Sequence, residues 1–112
     1  MLGGGQLGRM FALEARRAGY RVVIFTDEPQ GCPAGQYADD EINAPYDDAE
    51  ALKRFLSQVD VVTAEFENLP GSLLEAVEAV KPLRPSSKAI VTTQHREREK
   101  LFLRDQGIAC AE

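Results

Sequence analysis

An α/β fold, a parallel sheet covered on both faces by helices, is the architecture this sequence predicts, and three observations predict it. Short β-branched runs such as Arg21–Phe25 and Asp60–Ala64 alternate with longer segments whose apolar residues recur every third or fourth position. Gly3, Gly4, Gly5 and Gly8 stand between an apolar start and the first helical segment, where a strand turns tightly into a helix. A length of 112 residues with 44% hydrophobic content suits one domain with an ordinary core.

Taken in order, Met1-Leu2 is the end of a first strand, shorter than the roughly five residues a buried strand usually has, and so reads as truncated. From Leu7, the apolar positions Met10, Phe11, Ala15 and Ala18 follow helical spacing, with Arg16 and Arg17 in the last turn and Gly19 as the stop. Arg21–Phe25 is a buried strand, with Thr26 and Asp27 at its C-terminal end. The turn formers between Asp27 and Asp39 predict an irregular loop with a short helical turn, and Glu41–Ala44 an edge strand. Asp47 or Asp48 caps a helix whose apolar side is Leu52, Phe55, Leu56 and Val59. The strand Asp60–Ala64 then runs into Glu65-Phe66-Glu67-Asn68.

Pro70 opens a helix carrying Leu73, Leu74, Val77 and Val80, and Leu83-Arg84 is a short strand. Pro85-Ser86 opens a further helix, broken near Thr93 and Gln94, that resumes through Leu101, Phe102 and Leu103 to Gly107. Ile108-Ala109-Cys110 begins an extended segment.

The net charge of −5 argues against a nucleic-acid-binding face, which needs clustered Lys and Arg. No apolar run approaches the ~20 residues of a membrane span, and the N-terminus lacks a signal pattern, so the expectation is a cytoplasmic protein. Cys32 and Cys110 form no C-x-x-C and read as reduced thiols. A single histidine, His95, leaves carboxylates, Arg, Lys and main-chain dipoles to do any chemistry.

In an open α/β sheet the ligand crevice lies beyond the C-terminal ends of the strands. There the glycine turn offers bare N–H groups, a cradle for something polar or anionic. Residues two apart in a strand share a face, so Glu65 and Glu67 both look into the crevice with Phe66 turned into the core. An acidic pair beside such a turn suits an amine or hydroxyl ligand. A rival reading is a dinucleotide fingerprint, Gly3-x-Gly5-x-x-Gly8 with Asp27 as the ribose acid; Gln6-Leu7 in place of small residues and the short chain weigh against it. Farther on, Glu97 stands i,i+3 to Lys100, Arg98 and Glu99 lie on a solvated helix face, and Arg96 offers a planar fork to a phosphate.

Gly3-Gly4-Gly5-Gln6-Leu7-Gly8-Arg9-Met10, the loop from Asp27-Glu28-Pro29 to Cys32-Pro33-Ala34, Glu65-Phe66-Glu67-Asn68, Arg84-Pro85-Ser86 and Gln94-His95-Arg96 with Lys100 occur in one order and spacing. In these the chain resembles the 5-(carboxyamino)imidazole ribonucleotide synthases, which are ATP-grasp enzymes of purine biosynthesis. More distantly it resembles formate-dependent glycinamide ribonucleotide transformylase and biotin carboxylase. The resemblance implies a Rossmann-like, three-layer pre-ATP-grasp domain over residues 1–107, with 108–112 beginning the connection to an ATP-grasp domain. It implies an enzyme that uses ATP and Mg²⁺ to activate bicarbonate as carboxyphosphate, whose carboxyl group passes to the amine of aminoimidazole ribonucleotide. By the same resemblance Gly5, Gln6, Leu7 and Glu65 touch the ribonucleotide, and Arg96 reaches the ATP phosphates.

No catalytic residue or metal ligand is implied within this segment, which alone is expected to be inactive; ATP and Mg²⁺ sit mainly in other domains, and the full-length enzyme is expected to be a homodimer. Two departures stand out beside the short first strand. His95 occupies a position where an aspartate is usual, and Ala109-Cys110 replaces a usual Pro-Thr.

Overall fold

The structure, a computed structural model that describes residues 1–111, contains α1 (Gln6–Arg17), β1 (Val23–Thr26), a 3₁₀ turn (Gly35–Tyr37), β2 (Asp40–Asn43), α2 (Ala49–Leu56), α3 (Gly71–Glu78), α4 (Ser87–Thr93) and α5 (Arg96–Asp105). β1 and β2 pair in parallel, with Val23 opposite Asp40 and Thr26 opposite Asn43. Leu2 bridges Phe25 on one side and Ala64 on the other, and Val62 bridges Leu83, all in parallel. The resulting order across the sheet is β2, β1, Leu2, the Val62–Ala64 segment and Leu83. The expected strands at Asp60–Ala64 and Leu83-Arg84 are therefore present only as isolated bridges, while β1 and β2 lie within two residues of their expected limits.

The sheet is two-sided because its residues alternate. Leu2, Val23 and Phe25 join the larger cluster with Phe55, Leu74 and Val77, so α2 and α3 cover that face, together with Ile90 of α4. Met1, Val22 and Ile24 point the other way, onto Ala12 of α1 and Cys32 and Ala34 of the following loop. Period-two alternation between two apolar layers makes a three-layer domain, as expected. Phe25 is fully buried, with Tyr46 edge-on at 5.5 Å and Phe55 tilted against it at 5.6 Å. Burial of one such ring contributes about 1.5–3 kcal/mol.

α1 turns a different side inward from the one its large residues predict. Gly8 and Ala12 are buried, whereas Met10 is 63% and Phe11 43% exposed. A stripe of small residues lets the helix axis approach the sheet closely, and the bulky side chains are displaced to its flanks. Val80, expected on the buried side of the third helix, is exposed because α3 ends at Glu78. The other signals act as expected: Gly19 takes φ +91° after α1, the Asp48 carboxylate accepts from Ala51 N at 2.9 Å to cap α2, and the helical break falls between Thr93 and Arg96.

The loop after β1 is held by a carboxylate. Glu41 of β2 accepts hydrogen bonds from Gly31 N at 3.0 Å, Cys32 N at 3.3 Å and Asn43 Nδ2 at 2.8 Å. Burial by itself would raise its pKa, but hydrogen bonds from the Cys32 thiol, Asn43 and the two N–H groups outweigh it and hold the carboxyl below its usual range. Burial, reinforced by Glu41, pushes the Cys32 thiol up to about 11, so this free cysteine is an inert core residue.

Because the folded Glu41 binds its proton less tightly than the unfolded chain does, its contribution is present above the unfolded carboxylate pKa. It is lost as pH falls through the lower, folded value. Glu41→Gln is expected to cost about 1–3 kcal/mol at pH 7, from the lost charge-assisted bonds, and to make the acid side of the stability profile shallower. Urea unfolding of both proteins at pH 7 and at pH 4 measures this; a parallel shift at the two pH values would show that the carboxylate charge is not involved.

Candidate functional site

Register in the sheet brings the first and third motifs together. Glu65 N donates to Leu2 O at 2.9 Å and Gly3 N donates to Phe25 O at 3.0 Å, so the glycine turn leaves the sheet beside the start of the Glu65 loop. Gly3 adopts φ +102°, a conformation that L side chains rarely take. Gly5 precedes α1 with extended backbone, and its N–H donates to Glu65 Oε2 at 2.7 Å. A Cβ on Gly5 would lie 2.3 Å from Glu65 Oε1. The absent side chain is thus what admits the carboxylate.

The turn, expected to offer bare N–H groups to something polar or anionic, has the N–H of Gly5 engaged by the protein's own carboxylate. The N-terminus of α1 already has its negative charge, supplied by Glu65, and a second anion there would meet a like charge in place of a free dipole. It also removes the dinucleotide alternative, in which a pyrophosphate takes the helix N-terminus. Asp27, that reading's ribose acid, is simply exposed at the end of β1.

Glu65 keeps one oxygen for other partners: Oε2 is engaged by Gly5, and no hydrogen bond among the described residues uses Oε1. The side chain is half-buried at the edge of a surface hollow of about 240 Å³ whose walls include Phe66, Glu67, Pro85, Ile90 and Thr93. Phe66 does not enter the core as expected. It is 36% exposed and lies against Gly3, because the backbone leaves sheet geometry after Glu65 and the two-residue alternation lapses. Gln6 and Leu7 are exposed in the first turn of α1.

Arg96 stands at a second hollow of about 410 Å³, lined by Glu67, Thr93, Gln94, Arg96 and Glu99, which shares Glu67 and Thr93 with the first. Its guanidinium pairs with Glu99 at 2.9 Å, and the Arg96 side chain is 80% exposed. The helix face expected to pair Glu97 with Lys100 instead pairs Arg96 with Glu99, and Arg98 donates to Val91 O at 2.7 Å. An i,i+3 pair with so exposed an arginine is worth only about 0.3–0.5 kcal/mol.

The described residues hold no cluster of metal ligands: no group of three or more His, Cys, Asp or Glu side chains among them is placed to hold a metal. The hollow at Arg96 has mostly polar walls. No step of phosphoryl chemistry follows from this chain alone.

Two residues escaped the sequence reading. Gln94, read as part of a helical break and of the Gln94-His95-Arg96 motif but given no role, donates through Nε2 to Glu67 O and Leu69 O, both at 2.7 Å. Glu41 carried no signal beyond its place in an edge strand, although Gly35, against which it packs, marks the close approach.

The fold and the site define a class: a parallel α/β domain of nucleotide-binding topology whose phosphate turn is occupied by its own carboxylate. Residues 1–94 match the family described as the ribonucleotide synthetase preATP-grasp domain, and the chain belongs to that family. It is 45% identical over 112 residues to the N5-carboxyaminoimidazole ribonucleotide synthase of Brucella melitensis, a match covering 99% of this chain and 30% of that protein. A solved ADP complex of an N5-carboxyaminoimidazole ribonucleotide synthetase superposes with a TM-score of 0.92 at 39% identity, covering 99% of this chain and 29% of the other. The Aspergillus clavatus N5-carboxyaminoimidazole synthase, solved with ADP and 5-aminoimidazole ribonucleotide, superposes with a TM-score of 0.85 at 36% identity, covering 99% and 30%. The chain thus spans about 30% of the length of the curated relative named here.

Two measurements test the geometry. Gly5→Ala should destabilise the chain by about 1–3 kcal/mol by expelling the Glu65 carboxylate, and by less than about 1 kcal/mol in a Glu65→Ala background, where nothing is left to clash. Equal costs in the two backgrounds, from a urea double-mutant cycle, would show that the two residues do not meet. His95 has the extended backbone of an N-cap (φ −126°, ψ 118°) but makes no side-chain cap bond. His95→Asp is expected to stabilise α5 by about 1 kcal/mol, read as a raised urea midpoint with unchanged m-value.

Proposed function

We propose that this chain is the acceptor-binding domain of an N5-carboxyaminoimidazole ribonucleotide synthase, with residues 1–107 forming the domain and 108–112 opening the connection to an ATP-grasp domain. The enzyme would be a cytoplasmic ATP-dependent ligase, homodimeric at full length and inactive as this segment alone. The observation that carries the reading is the Glu65 carboxylate at the wall of a hollow, with Oε2 bonded by Gly5 N and Oε1 used by no hydrogen bond among the described residues. A carboxylate oxygen fixed in this way accepts from an amine or a hydroxyl and repels a phosphate, which fits a sugar-linked amine gripped by its donor groups. Gly5, Gln6 and Leu7 would line the approach of the ribonucleotide. In support, the Aspergillus clavatus relative was solved with 5-aminoimidazole ribonucleotide.

In the proposed reaction ATP phosphorylates bicarbonate, releasing ADP. The acceptor amine then attacks the carboxyl carbon of the carboxyphosphate, phosphate leaves, and the amine gives up a proton. This chain's share is to hold the amine, with Arg96 facing the phosphates, while the nucleotide and Mg²⁺ are held mainly by the rest of the enzyme.

The test is a hybrid in which this chain replaces the matching segment of the Brucella melitensis relative. It should release ADP only when aminoimidazole ribonucleotide and bicarbonate are both supplied. Glu65→Ala should raise the KM for the ribonucleotide about tenfold or more and leave the KM for ATP within about twofold. Unchanged acceptor kinetics, or a thermal shift with NAD alone, would overturn the reading.

A further inference from the structure

We infer that Gln94 is a positioning residue for the acceptor site: its amide latches the Glu65–Leu69 loop to the junction of α4 and α5 and so fixes the Glu65 carboxylate against Gly5. The inference rests on the function proposed above for Glu65 and extends it to a residue that touches no substrate.

The loop has two firm ends. Glu65 N is tied into the sheet through Leu2 O at 2.9 Å, and the Leu69 side chain is buried at 2% exposure. Phe66, Glu67 and Asn68 between them are exposed. Within that span the carbonyls of Glu67 and Leu69 both accept from Gln94 Nε2 at 2.7 Å, across 27 and 25 residues of sequence. One NH₂ group has two hydrogens, so a single amide satisfies both carbonyls and fixes their relative direction.

Position 94 is where such a latch has the most effect. Gln94 terminates α4, His95 precedes α5 and Arg96 opens it, so the group that grips the loop is two residues from the guanidinium facing the neighbouring hollow. Glu67 and Thr93 wall both hollows, and Gln94, which lines the larger one, holds the Glu67 carbonyl. The latch therefore ties the carboxylate on one side to the arginine on the other. The same contacts explain why the Gln94-His95-Arg96 motif contains an amide, a property that a helical break does not require.

The test uses amide hydrogen exchange in this chain together with kinetics in the hybrid enzyme. Gln94→Glu keeps the shape but removes both donors, and Gln94→Ala removes the side chain. In each, exchange at Gly5 N–H should accelerate about tenfold as Glu65 loosens, while Gly3 N–H, bonded to Phe25 O, is unchanged. In the hybrid, the KM for aminoimidazole ribonucleotide should rise about fivefold or more at constant KM for ATP. Parallel acceleration at Gly3 and Gly5 would mean general destabilisation and would overturn the proposal, as would unchanged exchange at Gly5. Gly5 exchange that responds while Glu65→Ala leaves acceptor kinetics untouched would uphold the latch and refute the role assigned to Glu65.

Discussion

A carboxylate at the end of one strand hydrogen-bonds the first N–H of a helix that starts at the end of the neighbouring strand, and the arrangement of the site follows from that contact. Glu65 and Gly5 are 60 residues apart in sequence, yet the parallel bridge between Leu2 and Ala64 leaves them side by side. The bond fixes the turn, because only a glycine at position 5 leaves room for the carboxylate. It also fixes the chemistry. In the usual nucleotide-binding version of this topology the helix N-terminus attracts a phosphate. Here its partial positive charge is met from within by the Glu65 carboxylate.

Most of the fold was legible because local signals and tertiary packing agree. Gly19 and Asp48 act as stop and cap where their chemistry says they should, and the β-branched run around Val23 and Ile24 is a buried strand. The failures have a common cause, which is that periodicity records where apolar residues lie but not how closely two elements approach. On α1 the stripe of Gly8 and Ala12 wins over Met10 and Phe11 because small residues allow contact with the sheet. On the 65–68 segment the strand pattern stops one residue sooner than the alternation implies, and Phe66 stays at the surface.

At the site, residue types were easier to read than their partners. The glycine turn, Glu65 and Arg96 all stand out as chemistry-bearing groups, but a list of donors does not say that Glu65 fills the turn or that Arg96 rests on Glu99. Gln94 shows the same gap. An amide in a short connection has no periodic signature, and the two carbonyls it holds lie in another motif. Its function becomes visible only when those segments are adjacent.

Two glutamates, Glu41 within β2 and Glu65 just past the Val62–Ala64 segment, separate scaffold from site. Both use a carboxylate to gather main-chain N–H groups of a neighbouring loop, Glu41 those of Gly31 and Cys32, and Glu65 that of Gly5. Glu41 spends both oxygens in this way, with Oε2 on Gly31 and Oε1 on Cys32 and Asn43. Its hydrogen-bonding capacity is largely consumed inside the protein, and its work is to shape a loop. Glu65 spends one oxygen on Gly5, no hydrogen bond among the described residues uses the other, and the residue lines a hollow. Its second oxygen is not among the buried polar atoms that lack a partner, so it keeps its accepting capacity without the penalty of a buried unpaired charge. The difference between the two glutamates is therefore one of unused accepting capacity, which Glu41 has spent on its own loop and Glu65 has not.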